Sequence, residues 1–259
     1  MAETLQELLA FAHEIAWQAG KITLRYFQTG IAVDRKADES PVTVADRESE
    51  AYLRAAITAR YPDHALLGEE EGATGSADAE WRWIIDPIDG TKSFVRGVPL
   101  YGVLIGVLQR EMPVIGVVNM PALGEIVYAG QGLGCWWNGR PCRVSSTRTL
   151  REALLVGTVA HGYENYGKHA PFQRLLGQVG LFRTWGDCYA YVLVATGRAD
   201  VAIDPQMNIW DAAALLPILQ EARGTYTDWH GTPTIAGGEG LGTNGLLLDE
   251  VLQLMRQET

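Results

Sequence analysis

Two apolar runs, residues 101–109 and 113–119, are joined through the polar step Arg110-Glu111. They commit the middle of the chain to neighbouring antiparallel strands. The flanks extend that sheet. Residues 65–67 and 81–85 are short apolar runs, and 125–129 with 134–137 read as a second hairpin. Ahead of the strands, Thr4-Leu5-Gln6-Glu7 forms a capping box. Leu5, Leu8, Leu9, Ala12, Ile15, Ala16 and Ala19 then recur at helical spacing, predicting a helix to about residue 27 that Gly30 closes. A second helix is predicted over 44–60, ended by Tyr61-Pro62. Residues 34–41 read as a polar loop, and 72–78 as an exposed, mobile one.

Beyond residue 150 the pattern alternates. Strands are expected at 154–158, 200–203 and 225–229, and helices at 171–177, 187–196, 209–222 and from 245 onward. A strand-rich first part followed by an alternating second part fits α+β and α/β portions stacked in layers. No repeat and no Pro/Ser-rich linker divides them, so 1–145 and 146–259 are expected to act as one cooperative unit. With 259 residues the chain is long enough for a substantial core.

Several function classes drop out. The net charge is −10 and no Lys/Arg run forms a basic stripe, so no nucleic-acid partner is expected. Apolar runs are too short to span a bilayer, and no signal peptide is read at the N-terminus, so no membrane association is expected. Three cysteines, Cys135, Cys142 and Cys188, make no even disulfide framework and no zinc spacing. They read as reduced thiols of a cytoplasmic protein.

Acidic residues concentrate at the ends of predicted elements. Asp86-Pro87-Ile88-Asp89-Gly90-Thr91 follows the strand ending at Ile85. Two aspartates three apart in a turn tightened by proline and glycine can aim at one point, and with the Ile88 carbonyl they offer the hard oxygen ligands Mg²⁺ prefers. Gly68-Glu69-Glu70-Glu71 follows another strand, and Trp210-Asp211 opens a helix. Each piece alone has an ordinary explanation: a turn, a solvated acidic run, an N-cap. Three together point to a shared metal site.

In order and spacing, Leu67-Gly68-Glu69-Glu70, the run from Trp83 to Thr91, and Trp210-Asp211-Ala212-Ala213-Ala214 resemble the signature motifs of the inositol monophosphatase-like family. The similarity extends over nearly the whole chain. The resemblance implies a layered αβαβα sandwich of the inositol monophosphatase and fructose-1,6-bisphosphatase type, a homodimer, and hydrolysis of a small-molecule phosphate monoester. It implies two or three Mg²⁺ ions per active site, held by Glu69, Asp86, the Ile88 carbonyl, Asp89 and Asp211. Residues 1–145 would then carry most of the metal ligands, and 146–259 would carry Asp211 and the residues that select the substrate. Val44-Ala45-Asp46 resembles the segment that places an acid beside the attacking water, which makes Asp46, Glu69 and Thr91 the catalytic candidates. The amides of Gly90 and Thr91 are candidates to bind phosphate oxygens.

Arg183-Thr184-Trp185-Gly186-Asp187-Cys188-Tyr189 and Asp204-Pro205 resemble the histidinol-phosphatase branch of that family. Asp187 and Asp204 among aromatic residues suit an organic cation better than a neutral polyol. Arg183, Gly186, Asp187, Cys188 and Asp204 are the substrate-binding candidates. An inositol-1-phosphatase or a sugar or nucleotide phosphatase on the same scaffold is the alternative reading, and an inactive metal-binding homologue a remote one. Gly240-Leu241-Gly242-Thr243-Asn244-Gly245 matches G-x-G-x-x-G, but too little chain follows for the βαβ unit a dinucleotide site requires. His161 and His169 flank a polar stretch, 162–168, expected to be a lid or plain surface.

Overall fold

The computed structural model describes residues 3–36, 39–159 and 163–256. Helix α1 (Leu5–Leu24) starts at the Thr4/Glu7 capping box, and a small ribbon of β1 (Asp34–Arg35) and β2 (Pro41–Val42) leads into α2 (Val44–Arg60). Then follow β3 (Ala65–Gly68), β4 (Gly72–Thr74), β5 (Trp81–Asp89), the single turn α3 (Thr91–Phe94), β6 (Gly102–Gln109), β7 (Met112–Met120), β8 (Glu125–Gly130), β9 (Gly134–Trp137) and β10 (Arg140–Pro141). The second half runs β11 (Leu154–Gly157), α4 (His169–Leu176), β12 (Leu181–Arg183), α5 (Cys188–Ala195), β13 (Val201–Asp204), α6 (Ile209–Ala212), α7 (Leu215–Glu221), β14 (Thr225–Thr227), β15 (Gly240–Thr243) and α8 (Leu248–Arg256).

The strands form an eight-stranded sheet, β10-β9-β8-β7-β6-β5-β3-β4, and a five-stranded sheet, β12-β11-β13-β15-β14. The period of two in β6 and β7 decides the layering. Val103, Ile105, Val107, Ile115 and Val117 face α1 and α2, where they meet Leu8, Ile15, Leu53 and Ile57. Leu104 and Val118 face the opposite way, into a core shared with α5, α7 and the second sheet through Val192, Leu215, Leu219, Val156 and Ala202. The outer face of the second sheet packs Leu155, Ile203 and Leu241 against Phe172 of α4 and Val251 of α8. The result is the expected αβαβα sandwich.

The expectations at 209–222 and 72–78 need correction. Helix 209–222 is two helices, interrupted at Ala213-Ala214. Pro217 has no N–H to donate to the Ala213 carbonyl, so the ladder breaks there. Part of the 72–78 loop is β4, an edge strand antiparallel to β3 and held by the Arg54 guanidinium, whose Nη2 donates to the Gly72 carbonyl at 2.5 Å. Residues 240–243 form β15, a buried strand between β13 and β14. In the 161–169 stretch, His161 lies outside the described residues, Tyr163–Tyr166 is a 3-10 turn, and His169 opens α4 with its Nδ1 2.9 Å from Glu164 Oε1.

The break between α6 and α7 packs directly on the large sheet. A Cβ on Gly106 would lie 2.6 Å from Ala213 Cβ, and one on Gly116 would collide with the Ala214 carbonyl. Glycine on the strands and alanine on the helices let the two backbones touch, which carries Asp211 up to the end of β5.

Candidate active site

The acidic candidates meet at the carboxyl end of β5. Asp86, Asp89 and Asp211 each offer a carboxylate oxygen, and the three atoms lie within 4.8 Å of one another. One oxygen of each side chain is tied to the backbone. Asp86 Oδ1 accepts from the Ile88 amide (2.9 Å), Asp89 Oδ2 from the Cys188 amide (2.6 Å) and Asp211 Oδ2 from the Asn208 amide (2.7 Å). Asp211 is also the acidic partner in the capping box of α6, with Asn208 as N-cap. Its local role and its place in the cluster coincide.

Like charges gathered in a buried place cannot all ionise freely. Burial pushes Asp86 and Asp89 well above the usual carboxylate range, reinforced for Asp86 by Glu69, Asp89 and Asp211, and for Asp89 by Asp187 and Asp211. Asp211 rises to about 6, chiefly through burial. A set of hard oxygen donors with no nitrogen or sulfur, aimed at one point and costly to leave unneutralised, fits a divalent cation of the Mg²⁺ kind.

Glu69 follows β3, which is parallel to β5 and one strand away. Its Oε1 accepts from Lys36 Nζ at 2.7 Å, and the same ammonium lies 2.8 Å from Glu70 Oε1. Lys36, in the stretch read as a plain polar loop, is a site residue that the sequence reading missed. Only the folding of β1–β2 over the sheet brings it across.

Asp46 is fully buried in the first turn of α2. Its Oδ2 accepts from the Thr43 amide and hydroxyl at 2.8 and 2.7 Å, the reciprocal bonds of a capping box. Burial raises it to about 6, against the pull of those bonds. The Thr91 hydroxyl donates to the Ile88 carbonyl at 3.0 Å, with Asp46 Oδ1 3.5 Å away. Between them Gly90 adopts φ 84°, a left-handed turn in which a side chain would strike Asp187 Oδ2 and the Leu100 carbonyl, each 2.9 Å from its Cβ.

The substrate candidates form a second acidic group beside the first. A cavity of about 90 Å³ is bounded by Asp89, Asp187, Cys188, Asp204, Met207 and Asp211. Asp187 precedes α5 with φ 40°, a strained backbone for a non-glycine residue, and makes no capping bond. Burial lifts its carboxyl to about 6, opposed by Lys92 and Ser93. Its amide donates to Thr158 Oγ1 at 3.2 Å, and the Thr158 amide donates to Asp204 Oδ1 at 3.3 Å. Asp204 Oδ2 is buried without a hydrogen-bond partner. Burial raises Asp204 to about 7, opposed by its contact with Thr158 and reinforced by the charge of Asp187. Gly186 packs directly on Thr158. Arg183 is not drawn into this group. Exposed at the end of edge strand β12, it donates from Nη1 to the Phe182 carbonyl. Cys188 contributes its amide, while its thiol packs on Met120.

The model of the inositol monophosphatase family matches residues 4–259. The chain belongs to the inositol monophosphatase family. It is 45% identical to the histidinol-phosphatase of Chlorobaculum parvum over 90% of each chain. It is 39% identical to that of Mycobacterium tuberculosis, covering 94% of this chain and 96% of the relative. Among solved structures, the inositol monophosphatase from Zymomonas mobilis superposes with a TM-score of 0.88 at 30% identity, over 99% of this chain and all of that one. Membership makes the chain a phosphoric monoester hydrolase. Among the described residues no helix is long and apolar enough to cross a membrane.

Proposed function

We propose that this member of the family is a Mg²⁺-dependent histidinol-phosphatase, releasing L-histidinol and phosphate from L-histidinol phosphate, as a cytoplasmic homodimer of histidine biosynthesis. The observation that carries the substrate reading is the unpartnered oxygen of Asp204 beside the cavity bounded by Asp187 and the metal-site acids. A second pair of carboxylates suits an organic cation better than a neutral polyol, because the ammonium and imidazole of histidinol neutralise charge that hydroxyl groups only hydrogen-bond. Trp185, exposed ahead of Gly186, adds an aromatic face for a cation. Two relatives named histidinol-phosphatase, similar over nearly the full chain, support the same reading.

Glu69, Asp86, the Ile88 carbonyl, Asp89 and Asp211 would hold two or three Mg²⁺ ions. When bound, the ions neutralise the ester's charge and lower the pKa of water. The chain's own groups do the rest. The amides of Gly90 and Thr91 bind phosphate oxygens. Glu69 and the Thr91 hydroxyl orient the attacking water in line with the scissile bond, and Asp46 takes a proton through Thr91. The ammonium of the leaving alcohol pairs with Asp204, with Asp187 alongside. No covalent phosphoenzyme is required.

Complementation of a histidine auxotroph lacking histidinol-phosphatase tests the proposal, alongside assays on histidinol phosphate and inositol 1-phosphate. Growth and a preference for histidinol phosphate are expected. A preference for inositol 1-phosphate with no rescue would assign the alternative substrate.

A further inference from the structure

Cys135 and Cys142 lie far from the metal cluster, on the edge hairpin of the large sheet. The register Trp137 to Arg140 and Trp136 to Pro141 continues to Cys135 opposite Cys142, and the Cys142 amide donates to the Cys135 carbonyl at 3.0 Å. Such hydrogen-bonded cross-strand pairs hold their Cα atoms about 5.5 Å apart, inside the range of about 4.4–6.8 Å that a disulfide accepts. The two sulfurs are 3.4 Å apart. The two thiols are therefore within reach of an S–S bond.

The two thiols differ in access and character. Cys135 is buried, whereas Cys142 is half-buried and lines a groove of about 410 Å³ with Trp136, Pro141, Arg143, Glu221 and Arg223. The Glu221 carboxylate is committed to the amides of Gly132 and Gly134. Among the described residues no acidic side chain lies within ion-pair distance of Arg143 or Arg223. In a chain of net charge −10, this groove presents two open guanidinium groups beside a thiol. Cys142, the accessible member, is thus the nucleophile of the pair, and buried Cys135 the group that follows.

We propose that Cys135 and Cys142 are a redox modification site, converted to an intramolecular disulfide by a small anionic disulfide of the glutathione type docked on Arg143 and Arg223. The Cys142 thiolate attacks one sulfur of that molecule, whose S–S bond breaks. A mixed disulfide forms, and one thiolate leaves and takes up a proton. Cys135 then loses its proton and attacks Cys142 Sγ, expelling the second thiol. Two protein thiols are oxidised and one external disulfide is reduced to two thiols.

The test incubates the full chain with oxidised glutathione and follows free thiols, intact mass and disulfide-mapped peptides. The wild-type protein is expected to lose two of its three thiols, retain no adduct, and yield a 135–142 disulfide while Cys188 stays free. Cys135→Ser is expected to trap one glutathione on Cys142, and Cys142→Ser to take none. Arg143→Ala with Arg223→Ala is expected to slow the reaction with oxidised glutathione several-fold and leave that with neutral hydroxyethyl disulfide unchanged. Retained phosphatase activity reports that the variants are folded, and the wild-type peptide map needs no variant. Persistence of all three thiols, a stable adduct on the wild-type protein, modification of Cys188, or equal slowing with both disulfides would overturn the proposal.

Discussion

Replacing Asp204 by Asn removes one charge and almost no volume. Asp204 Oδ1 already accepts from the Thr158 amide, and an Asn carbonyl can keep that bond. Oδ2 is buried and unpartnered, so what is lost is one charge-assisted hydrogen bond to an ammonium. Such bonds contribute about 1.5–3 kcal/mol, which corresponds to a fall of roughly 10- to 150-fold in kcat/KM for histidinol phosphate. An ester whose alcohol carries no cation, such as glycerol 2-phosphate, should lose little, because it never used the charge. The pH dependence sharpens the test. Burial raises Asp204 to about 7, so a proton competes with the substrate's ammonium as pH falls through neutrality. The ratio of kcat/KM values for the two esters, in which metal-site titrations cancel, should therefore fall below about pH 7 and become flat in Asp204→Asn. Equal losses on both esters, or an unchanged pH dependence of the ratio, would refute the cation-recognition argument.

Further outcomes follow from the same geometry. The folded state binds protons on Asp46 and Asp211 (each about 6) and on Asp204 (about 7) more tightly than an unfolded chain, whose aspartates titrate near 4. The stability they contribute is full below about pH 4 and lost as pH rises through 6–7. Mg²⁺ relieves the repulsion, so the gain in Tm on adding it should be larger at pH 8 than at pH 5; calorimetry showing equal gains would count against a metal site here. Lys36→Met removes an ammonium that competes for Glu69, a half-buried pair contributing about 0.5–1 kcal/mol, so half-maximal activity should need about two- to fivefold less Mg²⁺. Gly116→Ala forces α6–α7 off the sheet at an overpacking cost of about 1–3 kcal/mol. It should lower Tm and raise the Mg²⁺ requirement together, since Asp211 moves with the helix.

The layered fold was legible because long elements carry their own signals. The strand 101–109 differs from β6 by one residue at one end and 113–119 from β7 by one at each end, and the capping box from Thr4 to Glu7 marks a true helix start. What was not read depends on neighbours. Gly240-Leu241-Gly242-Thr243 gives no strand signal of its own, and its reason lies in Tyr191 and Leu219 across it: a Cβ on Gly242 would sit 2.9 Å from each of those side chains. The strand is glycine-rich because α5 and α7 need the room. The grouping of Asp86, Asp89 and Asp211 was readable because each sits at an element's end, where local sequence fixes its direction. Lys36 and Thr158 were not, since they reach the site through strand pairings that no local pattern encodes. Arg183 reads as a site residue by its place in the motif, yet β12 ends with that side chain in solvent.

The central claim is that Asp86, Asp89 and Asp211 form a cation site on which ester hydrolysis depends. Phosphate release from L-histidinol phosphate, measured on the purified chain and its Asp89→Asn variant with Mg²⁺ and with a chelator, tests it most directly. The wild-type chain should release phosphate only with Mg²⁺, and the variant should release almost none at ordinary Mg²⁺ concentrations. Release that persists in the chelator, or full activity of Asp89→Asn, would contradict it.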